Sequence, residues 1–294
     1  MMMKGNKVML LLVVLAVLIG VYFIAKYSGN QGRSTSFRSE LVEIDSDQVT
    51  KIELFSPSDS TILKKEGDQW YVDDKKADES SVKSMLSTLQ QIKPSRLASR
   101  SEDTWKDFQV DESGTRVVAF QDGDKVLDII LGRFNVEGQR SFYSYVRLQD
   151  ESDVYVAKDF MKMSINTGAN AYRNDDILKV EKDSLSGIAF NYPDSGFVLS
   201  RGDAGWSIGQ DSADSTAVAK YLQGVRSVTS RNFAENNGVE TLYDVAFQQK
   251  NGEDIQVAFH ADGGISSSSN PDEFWEDQAL RDKVCKSRSY FLGE

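Results

Sequence analysis

Cysteine and histidine are nearly missing from this sequence: Cys285 and His260 are the single residues of their types in 294. One thiol excludes an intrachain disulfide and a cysteine-built metal cage. One imidazole leaves little for acid–base chemistry, and no G-x-S-x-G nucleophile elbow accompanies it. His260 ends the apolar stretch "IQVAFH", where a structural role is expected. Basic residues are in the minority, 34 Lys and Arg against 45 Asp and Glu, which gives a formal net charge of −11. No basic stripe offsets it, so a nucleic-acid partner is not expected. Glycine-rich phosphate loops are absent, and "QDGDK" and "RGDAG" lack the calcium-loop spacing and read as turns. No cofactor, metal ligand or catalytic residue is assigned. With only four prolines and 40% hydrophobic residues, the composition is that of an ordinary globular chain with a sizeable core.

What is present begins with one long apolar run. "VMLLLVVLAVLIGVYFIA", Val8 to Ala25, carries no charge and follows Lys4 and Lys7. Its length, with Val8, Leu12, Leu15, Ile19 and Phe23 along it, meets the requirement of about 18 residues for a membrane-spanning helix. A cleaved signal peptide is the rival reading, but "YFIAKYSGNQG" is a poor cleavage site. The expectation is an uncleaved single-pass anchor (1–27) in the cytoplasmic (inner) membrane, N-terminus inside and the bulk of the chain extracytoplasmic. A polar tether (28–40) would follow.

An internal repeat organises the rest. "GDQWYVDDKKADESSVKSMLSTLQQIKPSRLAS" aligns without a gap on "DAGWSIGQDSADSTAVAKYLQGVRSVTSRNFAE" at an offset of 136 residues, placing Trp70 on Trp206 and Asp78 on Asp214. Upstream, "KIELFSP" matches "GIAFNYP"; downstream, after a loss of about nine residues, "VAFQ" meets "VAFQ". Val82, Met85, Leu86, Leu89 and Ile92 recur at helical spacing, and Val218, Tyr221, Leu222, Val225 and Val228 repeat them. Asp78 and Asp214 stand at the N-cap, able to accept from the first free backbone N–H groups. Alternating stretches before and after each helix predict antiparallel strands joined by hairpins. The expected fold is α+β: a transmembrane helix, then two duplicated lobes (41–180 and 181–294), each a mostly antiparallel sheet with one main amphipathic helix. "GGISSSSNPDE" reads as a loop and "PDEFWEDQALRDKVCKS" as a last helix.

Together these stretches resemble the bacterial envelope family called domain of unknown function 4340. The resemblance rests on "VTKIEL", "W-x-V", "AD-x-x-x-V-x-x-x-L-x-x-L", "IILG", "YVRLQDESDVYVA" and "YRNDDIL". It implies an accessory subunit beside ABC-type transport components of the gliding-motility kind, and it assigns no residue a role. The expected function is therefore a non-enzymatic, membrane-anchored interaction subunit whose partner is an envelope protein such as an ABC-type permease. The alternative is a ligand-binding module holding a polysaccharide or peptide between its lobes.

Overall fold

The computed structural model describes residues 40–138, 141–235 and 238–294. Two nine-stranded antiparallel sheets make up most of them. The first contains β1 (Val49–Phe55), β2 (Ser60–Glu66), β3 (Gln69–Val72), β4 (Lys75–Lys76), β5 (Pro94–Ser99), β6 (Thr115–Gln121), β7 (Asp124–Glu137), β8 (Ser141–Leu148) and β9 (Val154–Lys158). Its spatial order is β4-β3-β2-β1-β6-β7-β8-β9-β5. Helix α1 (Glu79–Gln90) joins β4 to β5, and the short α2 (Trp105–Phe108) lies between β5 and β6.

A short strand, β10 (Asp176–Lys179), leads to the second sheet, which contains β11 (Leu185–Asn191), β12 (Phe197–Gly202), β13 (Gly205–Ile208) and β14 (Asp211–Ser212). Helix α3 (Ser215–Val225) and β15 (Ser227–Thr229) follow. The sheet is completed by β16 (Phe233–Ala234), β17 (Thr241–Gln249), β18 (Ile255–His260), β19 (Gly264–Ser267) and β20 (Phe274–Glu276); α4 (Gln278–Val284) and α5 (Arg288–Leu292) end the chain. Its order, β14-β13-β12-β11-β17-β18-β19-β20-β16, is that of the first sheet strand for strand. The two also share a register shift at one point, between Val49 and Lys51 against β6 and between Leu185 and Gly187 against β17.

These pairings correct one detail of the repeat. Ile52 pairs with Ala119 and Ile188 with Phe247, so the equivalent residues are Ala119 and Phe247, and the two "VAFQ" stretches stand one residue out of step. A one-residue slip would turn every side chain to the other face. Ala119 and Phe247 are both fully buried, as the pairing demands.

The α+β expectation is also corrected. The described residues form a predominantly antiparallel β structure with few, short helices. Strands of two to four residues such as β4, β14, β16, β19 and β20 alternate too briefly to be read as strands. The serine-rich stretch contributes β19, and the last predicted helix opens as β20, whose Trp275 is fully buried between β16 and β19. Asp277 then caps α4 by accepting from the Ala279 amide.

The single-pass anchor and the inner-membrane location are corrected likewise. Among the described residues no helix is long and apolar enough to cross a membrane. The longest, α1, has 12 residues, about 18 Å at 1.5 Å per residue, against roughly 30 Å of hydrocarbon. The segment that prompted the expectation, with Val8, Leu12, Leu15, Ile19 and Phe23, lies outside the described residues.

Each lobe has its own core. Val82, Met85, Leu86 and Leu89 of α1 pack on Ile52, Leu54, Leu63, Val117 and Ile129; Val218, Tyr221, Leu222 and Val225 of α3 pack on Ile188, Phe190, Leu199, Val245 and Val257. Residues 176–180, at the end of the span 41–180, join the second of these. β10 pairs with β15, and Ile177, Leu178 and Val180 are part of the second core.

Both helices start as their sequences require. Asp78 accepts from the amides of Ser80 and Ser81, and Asp214 from those of Thr216 and Ala217. Burial would raise the Asp78 carboxyl, but hydrogen bonds from Ser81 and Ser80 outweigh it and hold the group below the ordinary carboxylate range. Its contribution is thus complete above the unfolded-state value and lost as pH falls through the folded one. Asp78→Ala and Asp214→Ala are each expected to cost about 1 kcal/mol in denaturant unfolding, with the Asp78→Ala difference shrinking in acid. A difference unchanged at low pH would count against the cap as its source.

Candidate functional site

The duplicated strand-turn-helix joint is where the two lobes diverge most usefully. In both, the alanine amide before the N-cap donates to the tryptophan carbonyl, Ala77 to Trp70 at 2.8 Å and Ala213 to Trp206 at 3.0 Å. In both, the N-cap amide donates to the segment that closes the lobe, Asp78 to Tyr172 O and Asp214 to Phe291 O, each at 2.7 Å. The acids Asp73 and Asp74 hold the left-handed turn of the first β-hairpin edge (φ 49° and 63°), a conformation Asp tolerates better than most residues. They are scaffold.

What covers the joint differs. In the first lobe Trp70 is 3% exposed. Gln69 donates its side-chain amide to the carbonyls of Trp70 (2.8 Å) and Ala77 (3.1 Å). Glu79 and Lys83 form an i,i+4 ion pair at 2.7 Å, and Gln90 donates to Ile44 O at 2.9 Å. The second lobe has Gly205, Ser215, Ala219 and Arg226 at those places. Trp206 is left partly exposed, and a groove of about 710 Å3 opens over it, with Val218 and Leu222 of α3 on its floor. Gly205 adopts φ +117°, which favours glycine, so no side-chain amide can return there.

The rim of the groove is charged and internally paired. Arg201 lies 3.2 Å from Asp183, donates to Lys182 O at 2.9 Å and places its guanidinium carbon 5.9 Å from the Trp206 ring. Arg226 pairs with Glu181 at 3.0 Å. The carbonyls of Trp206 and Ala213 lack the amide that Gln69 supplies to their counterparts. The arrangement suits a polar chain with apolar side chains: amide donors for the carbonyls, an apolar strip for the floor.

A second hollow, of about 430 Å3, lies between the lobes, where Asp73, Lys75 and Arg173 face Asp272 and Phe274. It is polar rather than aromatic. Its wall is tied across the lobes, because Arg173 Nε donates to Glu273 Oε1 at 3.0 Å, Arg173 Nη2 donates to Glu273 Oε2, and the guanidinium carbon stands 3.9 Å from the Phe233 ring. Lys75 Nζ donates to Asp272 O at 2.5 Å.

Among the described residues, reacting groups do not converge. His260 Nε2 meets Ser266 Oγ at 2.9 Å, but its Nδ1 faces the neutral Thr241 hydroxyl at 3.4 Å, which cannot stabilise an imidazolium as a carboxylate would. Burial raises the Cys285 thiol to about 11, so it stays protonated and unreactive. Among the described residues no three His, Cys, Asp or Glu side chains are grouped to hold a metal ion. Of the aromatics after the first helix, Tyr145 and Tyr155 are buried in the first lobe, while Phe142 and Tyr143 are half-buried.

The family model for a domain of unknown function (DUF4340) matches residues 72–250, more than half of the chain. The chain belongs to that family. The matched span runs from the end of β3 to the end of β17, so it includes the strand-to-cap joint at Trp206 in full and the first one without Trp70, which lies just before it. No curated protein and no solved structure matches this DUF4340 protein. Trp70, Asp78, Trp206 and Asp214 stand out in the sequence for what the copies share; the groove-forming residues Gly205, Ser215 and Ala219 are positions at which the copies differ. Their signal was a run of large-to-small replacements around a retained tryptophan.

Proposed function

We propose that this protein is a non-enzymatic accessory subunit that binds another protein by taking an extended segment of it into the groove over Trp206. The supporting observation is the internal comparison: in the first lobe Gln69 bonds both carbonyls of the joint and Trp70 is buried, whereas in the second lobe that side chain is missing and a groove opens over a partly exposed Trp206. A partner segment would supply the missing amide donors and cover the apolar floor. The resemblance to transport-associated relatives makes a subunit of an ABC-type transport complex the expected partner. The hollow between the lobes supports ligand capture less well, because the Arg173–Glu273 pair ties its walls together.

The test transfers the first lobe's Glu79–Lys83 pair to the residues that line the groove. The double variant Ser215→Glu with Ala219→Lys rebuilds an i,i+4 pair on the exposed side of α3, which supports the helix while filling the groove. With a photo-crosslinker at Gln223 of the full chain, the native protein should label a transport subunit through one extended segment. The double variant should lose that product about tenfold or more, a change worth about 1.4 kcal/mol. Equal labelling by both proteins, or no transport subunit among the products, would sink the proposal.

A further inference from the structure

Part of what the first lobe has in addition is a longer β7–β8 hairpin, and the rest lies between β5 and β6, where α2 and the loop after it fold over the sheet face opposite α1. Val110, Ile130, Tyr145, Val154 and Val156 form a small separate core there. Beside it is a cavity of about 590 Å3, within the roughly 300–1,000 Å3 range of small-molecule sites. Arg147, 2% exposed, stands in the wall.

Its guanidinium is held rigidly and yet incompletely used. Nε donates to Val110 O at 3.0 Å, and Nη1 donates to the carbonyls of Leu148, Gln149 and Glu151 at 3.1, 2.9 and 2.9 Å. The guanidinium carbon lies 3.7 Å from the Trp105 ring centre. Nη2 makes no hydrogen bond to the described residues, and it is not sealed in like the unpartnered nitrogens Asn135 Nδ2 and Trp275 Nε1, so it opens on the cavity. No carboxylate of the described residues pairs with Arg147, and burial lowers its pKa. The neighbouring Arg116, by contrast, is neutralised by Asp128 through two bonds of 2.7 Å. A buried guanidinium with no counter-ion is costly, and a carboxylate arriving with a ligand would remove that cost through a charge-assisted bond.

A plain anion would meet opposition, because Asp111 and the exposed Glu112 also line the cavity. Those same acids would attract an ammonium. Phe55 and Ile130 supply an apolar wall. We propose that this cavity binds a small zwitterion of the amino-acid class, its carboxylate on Arg147 Nη2, its ammonium toward Asp111 and Glu112, and an apolar side chain against Phe55 and Ile130. The site is particular to the first lobe. Ile130 pairs with Arg147, and at the equivalent place Ala258 pairs with Ser266, which carries no charge.

The experiment uses the full chain and each common L-amino acid in turn, followed by thermal unfolding and calorimetry. At least one apolar amino acid should bind and raise the unfolding midpoint. Its analogue without the ammonium should bind about tenfold more weakly, and the amine without the carboxylate about a hundredfold more weakly, because the carboxylate meets a buried guanidinium whereas the ammonium meets acids nearer to water. Arg147→Lys should weaken binding about tenfold, and the exposed Glu112→Gln by a smaller factor, about threefold. If Arg147→Lys fails to fold, the two analogues and Glu112→Gln decide the matter. Binding of no amino acid, equal binding of either analogue, or unchanged affinity in Glu112→Gln would overturn the assignment.

Discussion

Glu273→Ala is expected to lower the unfolding free energy by about 3–5 kcal/mol, because it leaves the Arg173 guanidinium largely buried and without its counter-ion. Glu273 has no exposed surface and Arg173 keeps only 16% of its side chain exposed. The cation is immobilised over Phe233, and its backbone bridges to Ala77 at the edge of the first sheet, so it cannot swing into water without breaking the contact between lobes. The cost therefore falls on the junction. Replacing both partners, Arg173→Met with Glu273→Leu, removes the charge together with its need for a partner and is expected to restore all but about 1 kcal/mol. Denaturant midpoints at constant slope measure both variants. If Glu273→Ala unfolds within about 1 kcal/mol of the native chain, the pair contributes little beyond a surface contact.

Much of the architecture was legible because the apolar periodicities are strong where the elements are long. The stripe Val82–Met85–Leu86–Leu89 and its copy Val218–Tyr221–Leu222–Val225 gave both helices and their buried faces, and Asp78 and Asp214 gave their starts. Strands of seven or more residues, such as β1, β6 and β17, were equally plain. The overall class departs from the α+β expectation for a physical reason. β14 and β16 have two residues each and carry no period, and β20 lies in an amphipathic stretch whose Trp275 reads equally well on a helix. Such strands exist because a neighbouring strand supplies their hydrogen bonds, information that local sequence does not carry. The groove was half-legible: the repeat fixes which residues correspond, but only the burial of Trp70 against the partial exposure of Trp206 shows that replacing Gln69 by Gly205 and Lys83 by Ala219 opens a surface. The Arg147 cavity was not legible, since nothing in "SYVRLQ" says that its arginine points inward without a carboxylate.

The two tryptophans of the repeat should respond in opposite ways to the same substitution. Trp70→Ala removes a side chain that is 3% exposed and packed in the first core, and it is expected to cost about 3–5 kcal/mol of stability. Partner labelling per folded molecule should stay unchanged, because Trp70 is enclosed in the first core and takes no part in the groove. Trp206→Ala removes a ring that is only partly covered, so the stability loss should be smaller, about 1–2 kcal/mol, from the transfer of its buried portion alone. Its binding loss should be the larger, about tenfold to a hundredfold, since an aromatic floor under a desolvated segment is the usual centre of binding energy. Unfolding midpoints and crosslinking yields measured on the same two preparations separate the cases. Equal stability losses would mean that Trp206 is as enclosed in solution as Trp70, and unchanged crosslinking by Trp206→Ala would mean that the groove is not where the partner sits. The contrast is informative because both residues occupy equivalent strands, β3 and β13, before equivalent caps, so a general weakening of the joint cannot produce it. Only a difference in what covers the ring can, and that difference follows from Gly205, Ser215 and Ala219.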